Sequence, residues 1–296
     1  MDENFEFTED IIRCLRNKFL PLKYAYIKTA AEYHTKFAQS ENYDSAVAMA
    51  EEGYRFILNY LEEKINYVEI GADDGVKSMK LIELLRNENV KINNFYFLDF
   101  SEELLGKCRK TMTDQNLICD YIRCDVENLE NLPRFDNSNL TLFVFIGNTL
   151  GNMEDERKVL KNFSSMMRDT DYLLLGVTLR NDDSATEQEL QTYNNVLFTD
   201  SVLAFLDYIG IKTIRDNFTL YYDKEKNMII GEYKISEPFI WANETILDTG
   251  DRVRCFQSKR FEFNECKELF SVVNLNIENY YIDSNERHIV FLLKKS

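Results

Sequence analysis

Between Tyr67 and Gly75 the chain reads YVEIGADDG, a short apolar run ending in glycines four apart and in the carboxylates Glu69, Asp73 and Asp74. Glycine at a strand-to-helix turn permits a tight bend and a close backbone approach to a ligand. A dinucleotide would set its pyrophosphate on the N-terminus of the following helix, which needs a loop free of anions. Three carboxylates repel a diphosphate and suit a ligand that carries a sulfonium and an ammonium. S-adenosylmethionine (SAM) has both, which makes Glu69 and Gly71 candidate cofactor-binding residues, with a plain loop as the alternative.

Other apolar runs end in a similar way. FYFLDFS finishes at Asp99, with Ser101 two residues on; a carboxylate there takes two ribose hydroxyls with its two oxygens. RCDVEN offers Asp125 as an acceptor for an adenine amino group and Val126 as an apolar face for its ring. Either aspartate is also an ordinary helix cap. LFVFIGNTLGN carries five apolar residues into Gly147 and then Asn148, Thr149, Gly151 and Asn152. A strand that ends in such a loop commonly meets a ligand, although asparagine and glycine are also plain turn formers.

The elements that position these residues follow from periodicity. Residues 8 to 62 read as helices, with apolar positions three and four apart in TEDIIRCLRNKFL, KYAYIKTAAEYHTKF and AVAMAEEGYRFILNYLEEK. The runs INYVEIG, NNFYFLDF, ICDYIRCDV, LTLFVFIG and DYLLLGVTL then alternate with the amphipathic segments VKSMKLIELLRN and SEELLGKCRKTM. That alternation predicts parallel strands with helical crossovers, a doubly wound α/β sheet. Beyond about residue 185, SATEQELQTYNNVLFTDSVLAFLDYIG is helical, FTLYYDKEKNMIIGEYKI is a β-hairpin around its polar centre, and RVRCFQSKRFEF is extended. A helix around NECKELFSVV and the runs IENYYI and HIVFLL close the sheet.

Composition narrows the function further. With 296 residues, 45% of them hydrophobic, the chain buries a full core. Its formal charge of -16 repels nucleic acid and anionic membranes. No apolar run reaches the ~20 residues of a bilayer span, and the start, MDENFEFTED, is acidic where a presequence is basic. A cytoplasmic protein is expected. The six cysteines form no CxxC pair and only His34 and His288 accompany them, so reduced thiols, no metal and no histidine-based catalysis are expected.

GNTLGN and its preceding strand resemble the signature of the histidine-specific methyltransferase family, SAM-dependent enzymes that methylate the α-amine of histidine. Gly71 is followed six residues on by Lys77, at the spacing of that family's cofactor lysine, although a solvated helix lysine reads as well. PLKYAYI resembles its N-terminal tyrosine segment and implies a pocket role for Tyr26, with Tyr43 seventeen residues later as a second pocket tyrosine. LLLGVTLRND followed by LQTYNN resembles the segment after the fifth strand and places the carboxylate-binding tyrosine at Tyr193.

The resemblance implies a Rossmann-like class I methyltransferase sheet over residues 46–184 and 262–296, with a second α+β substrate-binding domain over 1–45 and 185–261. Gly147 and Asn152 would line the substrate cleft, the Asn152 amide donating to a carboxylate and a carbonyl near Gly147 accepting from the amine. Tyr26, Tyr43 and Gly147 are then the expected catalytic set. One departure is informative: GDRVRCFQSKRF keeps Ser258 but has Phe256 where the family has a glutamate that holds the imidazole. The family's apolar pocket position falls on Tyr233. Losing a charge-assisted partner disfavours histidine and favours an aromatic or apolar amino acid, methylated on its α-amine. The alternatives are an O- or C-methyltransferase of a small metabolite, or a SAM-binding protein without catalysis.

Overall fold

Alternation along the apolar runs decides the larger part of the molecule. In the computed structural model the described residues are 6–38, 52–128, 135, 136, 138–180 and 183–296. The chain divides into two units, one of Val47–Asn181 with Arg260–Ser296 and one of Met1–Ala46 with Asp182–Lys259. In chain order the strands are β1 (Lys64–Ile70), β2 (Lys91–Asp99), β3 (Asp120–Arg123), β4 (Leu140–Phe145), β5 (Tyr172–Thr178), β6 (Phe218–Asp223), β7 (Met228–Lys234), β8 (Phe239–Trp241), β9 (Glu244–Leu247), β10 (Arg252–Lys259), β11 (Leu275–Ile282) and β12 (His288–Lys295).

The first unit is built on a seven-stranded sheet of order β11-β12-β5-β4-β1-β2-β3. β1 to β5 run parallel, and β12 is antiparallel to both β5 and β11. Every residue of β4 and β5 is buried, because helices cover both faces. Successive residues serve opposite cores: Ile65 and Tyr67 pack with Phe97, Leu142 and Leu174, whereas Val68 and Ile70 pack with Leu98, Phe143 and Phe291. Each such side chain contributes roughly 1.5–3 kcal/mol on leaving water, so a register slip would forfeit both cores. The strand order reverses between β1 and β4, and a crevice at such a switch point is where open α/β sheets bind ligands.

The second unit holds a three-stranded antiparallel sheet, β10-β7-β6, and the two-stranded β8-β9. Helix Lys28–Ala38 packs along helix Val196–Tyr208, where Phe37 meets Phe198 at 5.2 Å between ring centroids.

Three segments differ from the sequence expectation. PLKYAYI is a 3-10 turn over Leu22–Tyr26, cut off by extended Ile27 from the next helix, which Lys28 opens at φ +55°. SATEQELQTYNNVLFTDSVLAFLDYIG is two helices, Asp183–Tyr193 and Val196–Tyr208, because the Asn195 side chain caps the second by accepting from Phe198 N at 2.9 Å. In AVAMAEEGYRFILNYLEEK the described part is a short helix, Glu52–Arg55, that tightens into a 3-10 turn at Phe56–Asn59. Among the described residues no helix is long and apolar enough to cross a membrane, and no group of three or more His, Cys, Asp or Glu residues is arranged to hold a metal.

Candidate active site

The glycine loop after β1 is shaped by its backbone. Gly71, Asp73 and Gly75 have φ values of +70°, +50° and +78°. The Gly71 and Ala72 amides donate to the Leu98 carbonyl at 2.8 and 3.2 Å, which ties the loop to the end of β2. A Cβ at Gly75 would stand 2.7 Å from Met112 Cε and 3.0 Å from Cys108 Sγ, so helix Glu102–Asp114 also demands glycine there.

Asp99 ends β2 and is 8% exposed. Its Oδ2 accepts from Asp73 N at 3.2 Å and its Oδ1 from Ser101 N at 2.9 Å. Ser101 caps the next helix, its Oγ accepting from Leu104 N at 3.1 Å, and so holds Asp99 in place. Asp125 accepts through Oδ1 from Glu127 N at 3.0 Å and through Oδ2 from Asn128 Nδ2 at 3.2 Å. Val126 packs partly buried against the second core, its carbonyl accepting from Asn162 Nδ2 at 2.9 Å.

Glu69 is 3% exposed and accepts a short hydrogen bond from the Tyr67 hydroxyl. Burial pushes its carboxyl up to about 8, against the opposing pull of hydrogen bonds from Tyr67 and Ser78 and of the Lys77 charge. Lys77, the second residue of helix Val76–Asn87, thus stands within the field of Glu69. Burial, followed by the charges of Asp99 and Asp125, pushes the Cys124 thiol up to about 12. The ends of these strands form a negative field.

The loop after β4 rests directly on β5. Gly147 has φ +82°, and a Cβ on Gly176 of β5 would lie 3.1 Å from Gly147 N and 3.2 Å from Gly147 O. Asn148 Oδ1 accepts from Thr178 N at 2.9 Å, so the first asparagine of GNTLGN is a strut. Thr149 sets this loop beside the glycine loop, its Cγ2 3.6 Å from where a Cβ on Gly71 would be. Asn152 closes the 3-10 turn Leu150–Asn152, and its Oδ1 is a buried acceptor without a hydrogen-bond partner. Leaving such an atom unpaired costs roughly 1–3 kcal/mol, which a ligand donor would remove. The sequence expectation used the other end of the same amide, as a donor.

The acceptor-rich loops, the negative field and the Asn152 oxygen fit a ligand bearing sulfonium, ammonium and hydroxyl groups.

On the second unit Tyr193 ends its helix partly buried, 5.0 Å from Phe198 and 5.2 Å from Phe256 between ring centroids. Phe256 is 3% exposed and meets Phe198 edge-to-face at 4.8 Å. Gly231 makes room for this cluster, since a Cβ there would fall 2.8 Å from Phe218 Cζ and 2.9 Å from Phe256 Cβ. Ser258 is buried beside Ile229 in the β10-β7 ladder. Tyr26 packs edge-to-face on the buried His34, 4.6 Å between centroids. Tyr233 is fully buried, and its hydroxyl accepts from Ile214 N at 3.0 Å and donates to the Lys212 carbonyl at 3.2 Å. Tyr43 lies outside the described residues.

Sequence reasoning missed Phe198 and the strut role of Asn148. The spacing of five between Tyr193 and Phe198, bridged by an asparagine cap, was the available signal for the first.

Comparison with known proteins bears on the fold and on the family. A structure of a SAM-dependent methyltransferase from Clostridium acetobutylicum superposes with TM-score 0.50 at 15% identity, covering 89% of this chain and 99% of that one. The PH0226 protein from Pyrococcus horikoshii superposes with TM-score 0.53 at 12% identity, covering 91% and 99%. At such identities the likeness is one of fold, the Rossmann-like fold of class I methyltransferases. No curated protein matches the sequence. The model of the histidine-specific, SAM-dependent methyltransferases matches residues 7–295. With nearly its whole length matched, the chain belongs to the histidine-specific, SAM-dependent methyltransferase family, and SAM is its methyl donor.

Proposed function

We propose that this methyltransferase acts on the α-amine of an amino acid or close derivative with an aromatic or apolar side chain, and not on histidine. The observation that carries this reading is the ring cluster of Tyr193, Phe198 and Phe256, where Phe256 is buried edge-to-face against Phe198. An imidazole that is to be held by charge needs a carboxylate partner. A phenylalanine offers only apolar area and ring-edge contact, worth roughly 0.5–1.5 kcal/mol beyond burial to another ring.

SAM supplies an already activated methyl group, so positioning of the nucleophile and exclusion of water are what the chain contributes. An ammonium has no lone pair and must shed a proton first. The Tyr26 hydroxyl and the Gly147 carbonyl would orient the neutral amine by hydrogen bonds, with Tyr43 as a further donor. Asn152 and the Tyr193 hydroxyl would hold the carboxylate. Glu69, Gly71, Lys77, Asp99, Ser101, Asp125 and Val126 would hold the donor. The chemistry points to a small, soluble substrate and to no nucleic-acid partner.

The test is a panel of the proteinogenic amino acids incubated with enzyme and SAM and read by mass spectrometry. Methylene mass increments on aromatic or apolar amino acids, with fragmentation locating them on the α-nitrogen, are expected. Efficient methylation of histidine, or methylation confined to oxygen or carbon, would overturn the proposal.

A further inference from the structure

The chain is acidic, with 35 Lys and Arg against 51 Asp and Glu, yet one cleft of the sheet-bearing unit has the opposite sign. About 520 Å³ in volume, it is lined by Arg157, Lys158 and Lys161 of helix Glu156–Met166 and by Lys295 of β12. Its one lining acid, Asp155, is engaged as the helix cap, accepting from Lys158 N at 2.9 Å. Lys294, the neighbour of Lys295, pairs with Tyr172, the first residue of β5. Lys295 therefore sits at the end of the strands opposite to Gly147 and the glycine loop.

Two of the cations are held in place by neutral groups. Lys158 Nζ donates to Asn128 Oδ1 at 2.6 Å and Lys295 Nζ to the Met167 carbonyl at 3.3 Å, which orients each ammonium without cancelling its charge. Arg157 and Lys161 are exposed and have no ion-pair partner among the described residues. A second observation comes from the serines. Ser165 Oγ donates to the Lys161 carbonyl at 2.8 Å. Ser164, next to it and only 6% exposed, lines the cleft with a hydroxyl that has no hydrogen-bond partner among the described residues. Val272, 54% exposed, and Val273 give one side an apolar lining.

We propose that this cleft is a binding site for a small phosphate-bearing anion, a di- or triphosphate or a phosphate ester. Arg157 and Lys161 contact the phosphate oxygens, Ser164 donates its hydroxyl, and Lys158 and Lys295 supply the surrounding charge. Four cations call for a ligand with more than one negative charge, and the arginine fork matches phosphate oxygens in pairs. A long polyanion would meet the acidic remainder of the surface and be repelled. A compact anion feels mainly the charges within a Debye length of ~8 Å. The site is independent of the amino-acid pocket proposed above.

Isothermal calorimetry on the full chain with pyrophosphate and tripolyphosphate, at physiological ionic strength and with and without saturating SAM, tests the proposal. These probes lack the adenosine and methionine parts that the cofactor loops would take. Saturable binding, unchanged by SAM, is expected. The substitutions Arg157→Ala and Lys161→Gln should each weaken it roughly tenfold, as loss of one hydrogen bond to a charged group implies, with SAM affinity and unfolding temperature unchanged. Absence of saturable binding, displacement of the probe by SAM, equal binding of citrate, or wild-type affinity in both variants would each overturn it. Tight binding of a short RNA by a protein that ignores tripolyphosphate would overturn it as well.

Discussion

The two units fix their side chains by different means. Around the glycine loop, Asp99 and the β4 loop, functional groups are fixed by backbone: strand ends, amides donated to Leu98, an aspartate clamped by two main-chain N–H groups. Around Tyr193 they are fixed by ring packing, with Phe198 and Phe256 in van der Waals contact and Gly231 leaving room. A backbone-defined site tolerates little change and keeps one ligand. A ring-defined site can exchange one side chain for another of similar volume at modest cost. The common methyl donor and the departure at Phe256 fall on the two sides of that difference.

The contrast can be strained first at Gly75. Alanine there must hold φ near +78° and displace Met112 and Cys108; a loss of roughly 2–4 kcal/mol in stability is expected, with SAM binding reduced in parallel. Thermal unfolding and calorimetry measure both, and an unperturbed variant would remove the backbone argument. Next in size, Asp99→Ala should lower SAM affinity by roughly 1.5–3 kcal/mol, the worth of hydrogen bonds to a charged group, while the amino-acid KM stays put. A shift in the amino-acid KM alone would reverse the assignment.

Tyr193→Phe keeps the ring cluster and deletes one hydroxyl. Substrate affinity should fall by roughly 1–3 kcal/mol with SAM affinity intact; an unchanged substrate constant would take Tyr193 out of the site. Glu69→Gln is told apart from these by its pH dependence. Glu69 titrates near 8 in the fold against 4.5 ordinarily, so its neutral form is favoured. Stability is whole at pH below about 4.5 and declines as pH rises to about 8. Glutamine has no proton to lose, so the variant should match wild type in acid and gain in unfolding temperature between those pH values, then level off. A gain independent of pH would show the carboxyl to be ionised throughout.

Much of the sheet was legible because its signal is local. INYVEIG, LTLFVFIG and DYLLLGVTL are continuous apolar runs, and a strand buried on both faces must be one. Gly71, Asp99 and Gly147 could be placed from sequence because strand ends and glycines announce themselves. The second unit was read less completely. The helix break at Asn194–Asn195 depends on a side-chain cap, and the β8-β9 turn on Ala242 and Asn243 at φ +50° and +66°, a conformation that alanine seldom takes. The burial of Tyr233 depends on carbonyl and amide groups nineteen or more residues away. Asn148 and Asn152 show the same limit: identical side chains four apart, one a strut and one open, differ only in what β5 presents to them.

The bare Cα of Gly176 lets the main chain of β5 touch the main chain at Gly147, with no side chain interposed. Nothing at that junction can be retuned by exchanging one residue for a slightly larger one, because any added carbon displaces the backbone of Gly147. Descendants of this protein that acquire new substrates would therefore be expected to change at the aromatic positions and to inherit the floor beneath residue 147 unaltered.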